Sequence, residues 1–146
     1  MIVKTILKSK ARGAGIISVT PDASVGDAAR LLAQHKIGAV LVMNGNRVAG
    51  ILSERDIVRG LAEAVDVCIT AKVSDLMTAE VFVCHEDDTV ERLMEIMTAK
   101  RIRHLPVVNG NGDVAGIVTI GDVVKSRLDE TKMEAESLRD YVMAGR

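Results

Sequence analysis

Two stretches of this chain carry the same polar residues at the same spacing: Gly50-x-x-Ser53-x-x-Asp56 and Gly116-x-x-Thr119-x-x-Asp122. In each, an apolar run passes into a predicted helix at the hydroxyl residue. A hydroxyl beside the free N–H groups of a helix start suits a phosphate oxygen. A carboxylate one turn later suits acceptance from a ribose diol. A structural reading fits the same residues: Ser or Thr is a good N-cap, and Asp in the first turn complements the helix dipole. On these residues alone the two readings stand level.

Other chemistry finds no support. The histidines His35, His85 and His104 lack H-x-x-x-H spacing, and Cys68 and Cys84 form no C-x-x-C, so no metal site is expected. His85 lies beside Cys84 and Glu86, but neighbouring strand residues point to opposite faces. Ser53 is not in a G-x-S-x-G elbow, and Gly110-Asn111-Gly112 reads as a hairpin turn rather than a phosphate loop. No catalytic residue is predicted, and no enzyme. Lys plus Arg is 19 and Asp plus Glu is 20, a net charge of −1, which weakens a duplex-DNA reading. Phe82 and Tyr141 are the aromatic residues, without any Trp, so platforms for stacking bases and cages for quaternary ammonium groups are not expected. Nucleic acid is therefore not an expected partner. The longest uncharged stretch, residues 37–46, is too short to span a bilayer, and no secretory pattern is evident. The expectation is a cytoplasmic chain with no membrane partner and with both cysteines free and reduced.

The elements that must position the two polar motifs repeat as well. Ser24-Val25, Lys36-Ile37 and Asn44-Gly45-Asn46 match Thr89-Val90, Arg101-Ile102 and Asn109-Gly110-Asn111 at an offset of 65. After one inserted residue, Gly112, the match resumes at an offset of 66, with Val48-Ala49-Gly50-Ile51 against Val114-Ala115-Gly116-Ile117. Each copy predicts a short strand (16–19; 81–83), an acidic turn, a helix, a hairpin and a second helix. Ser24 with Asp27, and Asp88 with Glu91, have helix-start character. Val25, Ala28, Ala29 and Leu32 share a helical face, as do Val90, Leu93, Met94 and Met97. Asn44-Gly45 and Asn109-Gly110 are strong turn signals between nearly continuous apolar strands, which implies sheets covered on both faces. The predicted organisation is a first repeat with its lead-in at 1–64, a linker at 65–80, a second repeat at 81–127 and a C-terminal helical extension at 128–146. Two copies, too few for a solenoid, argue for a closed pair sharing one aliphatic core.

Taken together, Ile37-Gly38-Ala39-Val40-Leu41-Val42 with Val48 through Asp56, and Ile102-Arg103-His104-Leu105-Pro106-Val107-Val108 with Gly116 through Asp122, resemble a tandem pair of the cystathionine-β-synthase (CBS) domain family, the Bateman module. Val73-Ser74-Asp75-Leu76-Met77-Thr78 resembles the family's lead-in to a second copy. The resemblance extends over roughly residues 3 to 127. It implies an α/β (α+β) fold of two β-α-β-β-α units packed through their sheets with pseudo-two-fold symmetry, plus the C-terminal helix. It also implies two inter-repeat clefts for adenosyl ligands: AMP, ADP, ATP, NAD(H) or S-adenosylmethionine. No cofactor would be required.

Carried over by motif position, Asp56 and Asp122 would hold ribose hydroxyls, and Ser53 and Thr119 would meet phosphate. The base would lie against Thr20, Ile37 and Ala39 in one cleft and against Ile102, His104 and Pro106 in the other. Main-chain groups at Ala39 or His104 would read the adenine edge. The copies differ where Arg55 stands against Gly121 and Gly38 against Arg103, so cationic groups distribute unequally, and Arg103 is placed to reach a phosphate bound by the other copy. The resemblance further implies a homodimer and an unidentified regulated protein, hence a regulatory nucleotide sensor. The competing expectation is a structural dimerisation module without ligand.

Overall fold

The computed structural model describes residues 2–10 and 16–145; Met1 and Arg146, at the ends of the first and last predicted segments, lie outside them. A short helix α1 (Val3–Lys10) opens the described chain. The first repeat then runs β1 (Ser18–Val19), α2 (Val25–His35), β2 (Ala39–Asn44), β3 (Arg47–Ser53) and α3 (Glu54–Glu63). Two short helices, α4 (Val65–Cys68) and α5 (Val73–Leu76), occupy the predicted linker. The second repeat is β4 (Cys84–His85), α6 (Val90–Lys100), β5 (His104–Val108), β6 (Val114–Thr119) and α7 (Ile120–Ala144).

Among the described residues the strands form two three-stranded sheets, ordered β1-β2-β3 and β4-β5-β6. In each, the first strand pairs parallel to the second and the hairpin pairs antiparallel. Gly45 turns the first hairpin at φ 63°, a conformation that glycine adopts at little cost. The initial strands are shorter than their apolar runs suggest. In the second repeat pairing begins at Cys84, after the predicted 81–83, and Val81 and Phe82 line the space between the repeats. Thr89, rather than Asp88, caps α6: its hydroxyl accepts from Arg92 N at 3.1 Å, while the Asp88 carboxylate accepts from His85 N at 2.8 Å. Met97 is core, but Met94 is exposed. The predicted second helix and C-terminal extension are one helix of 25 residues, exposed along most of its length past Arg127, with Leu128, Leu138 and Tyr141 in solvent.

Among the described residues the core is aliphatic, as the composition requires, yet it is two clusters and not one. One gathers Val19, Ala28, Leu32, Val40, Val42, Leu52 and Val73; the other gathers Val3, Ile6, Cys84, Val90, Leu93, Met97, Leu105, Val107, Val118 and Val123. The lead-in segments cross between them. α1, preceding the first repeat, buries Val3 and Ile6 in the second repeat's cluster, and its Val3 and Lys4 amides donate to the Asp88 and Glu86 carbonyls at 2.9 Å. Residues 69–78, preceding the second repeat, pack on the first: Val73 N donates to Ala23 O at 2.8 Å, and Ile51 and Thr78 exchange two backbone hydrogen bonds. Packing therefore cuts across the boundaries at 64 and 80 that the sequence suggests.

Both cysteines are free and buried. Burial, with the Asp88 charge second, pushes the Cys84 thiol up from 9.0 to about 12. The thiolate is the reactive form, so native Cys84 should resist iodoacetamide at pH 8 and react once denaturant is added; labelling of native protein at Cys84 would contradict this burial. Because the folded-state value is raised, the thiol's contribution to stability is complete below pH 9 and lost as pH rises from 9 toward 12.

Candidate functional site

Both polar motifs fold as reciprocal caps. Ser53, extended at φ −108°, ends β3 and caps α3. Its hydroxyl accepts from Asp56 N at 3.3 Å and donates to Asp56 Oδ2 at 3.0 Å, and its own N–H donates to that same oxygen at 2.9 Å. Thr119 and Asp122 repeat this at the start of α7, with Thr119 N to Asp122 Oδ2 at 2.9 Å and Asp122 N to Thr119 Oγ1 at 3.2 Å. The Asp56 side chain is 6% exposed; its Oδ1 also receives Thr78 Oγ1 at 3.4 Å and lies 3.6 Å from Arg59 Nη1. The first helical amides are occupied too: Glu54 N donates to Gly38 O and Ile120 N to Arg103 O. The structural reading of the motifs is thus realised in full, and any ligand meets a carboxylate already aimed by its own cap.

Two clefts lie between the repeats. The first, about 460 Å³, joins Ser53, Arg55, Asp56 and Arg59 of the first repeat to Arg101, Ile102, Arg103 and His104 of the second, with Thr78, Glu80, Val81 and Phe82 along the connection. The second, about 530 Å³, joins Thr119 and Asp122 to Lys36, Ile37, Gly38 and Ala39, with Leu7, Ile16, Ile17, Leu41 and Ala115 through Ile117 as an aliphatic wall. Both fall within the size range of small-molecule sites. Gly38, His104 and Thr119 line both clefts. A Cβ on Gly38 would stand 3.3 Å from His104 Nε2, so glycine lets the repeats approach at the partition between the clefts.

Of the residues expected from sequence, Ser53, Arg55, Asp56, Ile102 and Arg103 meet in the first cleft, and Ile37, Ala39 and Asp122 in the second. Thr20, Pro106 and Gly121 line neither. Thr20 is exposed, one residue beyond β1; Pro106 is buried in the middle of β5 opposite Ile117; Gly121 offers no side chain and is exposed. Several lining residues escaped the sequence reading. Phe82, one of the two aromatics, enters the first cleft, with Lys100 Nζ 5.1 Å from its ring centroid. Lys36 and Arg101 hold left-handed backbone, φ 54° and 55°, at the ends of α2 and α6, and each lines a cleft. Their matched offset of 65 was visible, but nothing in either residue type announces a positive φ.

A family model described as CBS domain matches residues 13–63 and 73–129. The chain belongs to the CBS-domain family, as a tandem pair. Its fold aligns with the CBS-domain containing protein ATU1752 of Agrobacterium tumefaciens at TM-score 0.82 and 45% identity, over 87% of this chain and 99% of that one. It aligns with the CBS domain pair of protein MJ0100, solved with 5′-methylthioadenosine and S-adenosyl-L-methionine, at TM-score 0.75 and 29% identity, over 90% and 98%. A CBS domain protein of Pyrobaculum aerophilum complexed with AMP aligns at TM-score 0.73 and 25% identity, over 84% and 89%. No helix among the described residues is long and apolar enough to cross a membrane.

Proposed function

We propose that this chain is a regulatory sensor, not an enzyme, that binds adenosyl ligands (AMP, ADP, ATP or NAD(H)) in its two inter-repeat clefts. The observation that carries the reading is the crossed construction of each cleft. The hydroxyl–carboxylate cap of one repeat faces the Lys36–Ala39 or Arg101–His104 segment of the other. A ligand spanning the two binds best when the repeats hold one relative position, so it shifts the population of that position. The adenosyl ligands of the related CBS pairs support the same reading. A cytoplasmic homodimer acting on a regulated protein belongs to it, since two-fold dimers are the commonest assembly.

Calorimetric titration with AMP, ATP and NADH tests the proposal. Asp56→Asn and Asp122→Asn keep an oxygen for the cap while removing the charge. Each is expected to weaken its own cleft about tenfold or more, the scale of one charge-assisted hydrogen bond. The alternative, a structural module whose carboxylates serve only as caps, draws on the completeness of those caps. It predicts no binding below millimolar concentration, and that result would sink the sensor reading.

A further inference from the structure

We infer that the outer part of α7, beyond the second repeat, docks a second copy of this chain, the two helices running parallel as a short two-stranded coiled coil. Val124, Leu128, Thr131, Ala135, Leu138 and Val142 recur at alternating steps of four and three residues. That is the 3.5-residue period that keeps one seam of a helix facing a partner helix. Val124, Leu128, Leu138 and Val142 are each at least half exposed, and Thr131 and Ala135 are exposed between them. The helix packs on its own repeat through a different face, which buries Val123 and Ser126. From Thr131 to Gly145 every residue is exposed, so the chain itself does not cover the seam.

The charges beside the seam select its occupant and the direction of pairing. One flank is cationic throughout, with Lys125, Lys132 and Arg139; the other carries Arg127, Glu134 and Tyr141. In an antiparallel pair like flanks meet, which sets one cationic row against the other. In a parallel pair each flank meets the opposite kind, and Glu134 of one copy comes beside Arg139 of the second. Two-fold symmetry makes that pair twice. Among the described residues, neither Glu134 nor Arg139 has an ion-pair partner in its own chain. The one cation that would oppose Lys132 of the second copy is Arg127, and it is already held by Glu91 at 3.0 Å and Glu130 at 2.9 Å. The seam thus complements itself in one orientation. It gives the homodimer of the sensor reading a contact, and it does not depend on nucleotide binding.

Sedimentation equilibrium of the full chain tests the seam, with wild type expected to dimerise. Leu138 is 65% exposed, so Leu138→Asp should leave the repeats folded by circular dichroism. Its dimer dissociation constant should rise about 100-fold or more, because two unpaired carboxylates would enter the seam. Orientation is read by cross-linking. Val142→Cys brings the two introduced thiols together only in a parallel pair, so mild oxidation should yield a covalent dimer. Asp140→Cys, on the opposite face of the helix, should not; native Cys68 and Cys84 are buried and stay out of the reaction. A monomeric wild type, undiminished dimerisation of Leu138→Asp, or cross-linking no greater at Val142→Cys than at Asp140→Cys would overturn the seam. None of these results touches the sensor reading, which stands or falls on the nucleotide titration.

Discussion

Deleting the first ten residues is expected to loosen the second repeat, not the first repeat they precede. α1 places Val3 and Ile6, 0% and 5% exposed, in the cluster of Leu93, Leu105 and Val118. Burying an aliphatic side chain of this size stabilises by about 1.5–3 kcal/mol. Loss of both therefore costs about 3–6 kcal/mol, before the two backbone hydrogen bonds to Asp88 and Glu86 are counted. A domain has only about 5–15 kcal/mol in hand. Hydrogen exchange should show α6, β5 and β6 losing protection while β2, β3 and α2 retain more of theirs. Greater loss in the first repeat would contradict the crossed packing. Ile6→Ala provides a milder version, with an expected cost of about 2–4 kcal/mol by chemical denaturation.

The second large effect contrasts two glycines at matching positions. Gly50 lies on β3 where the 69–78 segment crosses; a Cβ there would stand 2.8 Å from the Thr78 carbonyl oxygen and 2.7 Å from Met77 Sδ. A carbonyl held by Ile51 N at 3.0 Å cannot retreat without breaking that bond. Gly50→Ala should destabilise by about 2–3 kcal/mol, the range of overpacked sites, and should disturb the first cleft through Thr78. At Gly116 the near neighbour is the end of the Leu7 side chain, Cδ2 at 2.7 Å, with no backbone within 4 Å among its three nearest contacts. Leu7 can change rotamer, so Gly116→Ala should cost about 1 kcal/mol or less. Equal costs in denaturant melts would show that both neighbours yield, or that neither does.

These two predictions also mark how far the sequence reaches. The repeat, the hairpins and both capping motifs were legible because each depends on neighbours a few residues apart: Asn44-Gly45, Ser53 with Asp56, Thr119 with Asp122. The crossed lead-ins were not. Val3, Ile6 and Leu7 match Val73, Leu76 and Met77 only at an offset of 70, outside the main register of 65 and 66, and over too few residues to stand out. A single shared core was expected because two copies are too few for a solenoid and argue for a closed pair; the exchange of lead-ins gives each repeat its own cluster. In the clefts, motif position pointed to Asp56, Asp122 and Arg103, which line them, whereas Thr20 lies exposed one residue past β1 and Pro106 is buried in the middle of β5, so neither lines a cleft. Phe82 and Arg101 depended on where β4 begins and on a positive φ, and both are set by tertiary contacts.

The helix that starts at the Thr119–Asp122 cap runs unbroken to Ala144. At 1.5 Å per residue its 25 residues span about 37 Å. Its root is wedged against the second cleft, where Asp122 lines the wall, and its outer turns touch little else. Such a rod is a lever with its fulcrum at the cleft. A tilt of about 5° at the cap sweeps the far end through about 3 Å, by rigid geometry on that length. A rearrangement too small to notice among the lining side chains is thereby magnified at Tyr141 and Val142, on the part of the molecule most open to another surface.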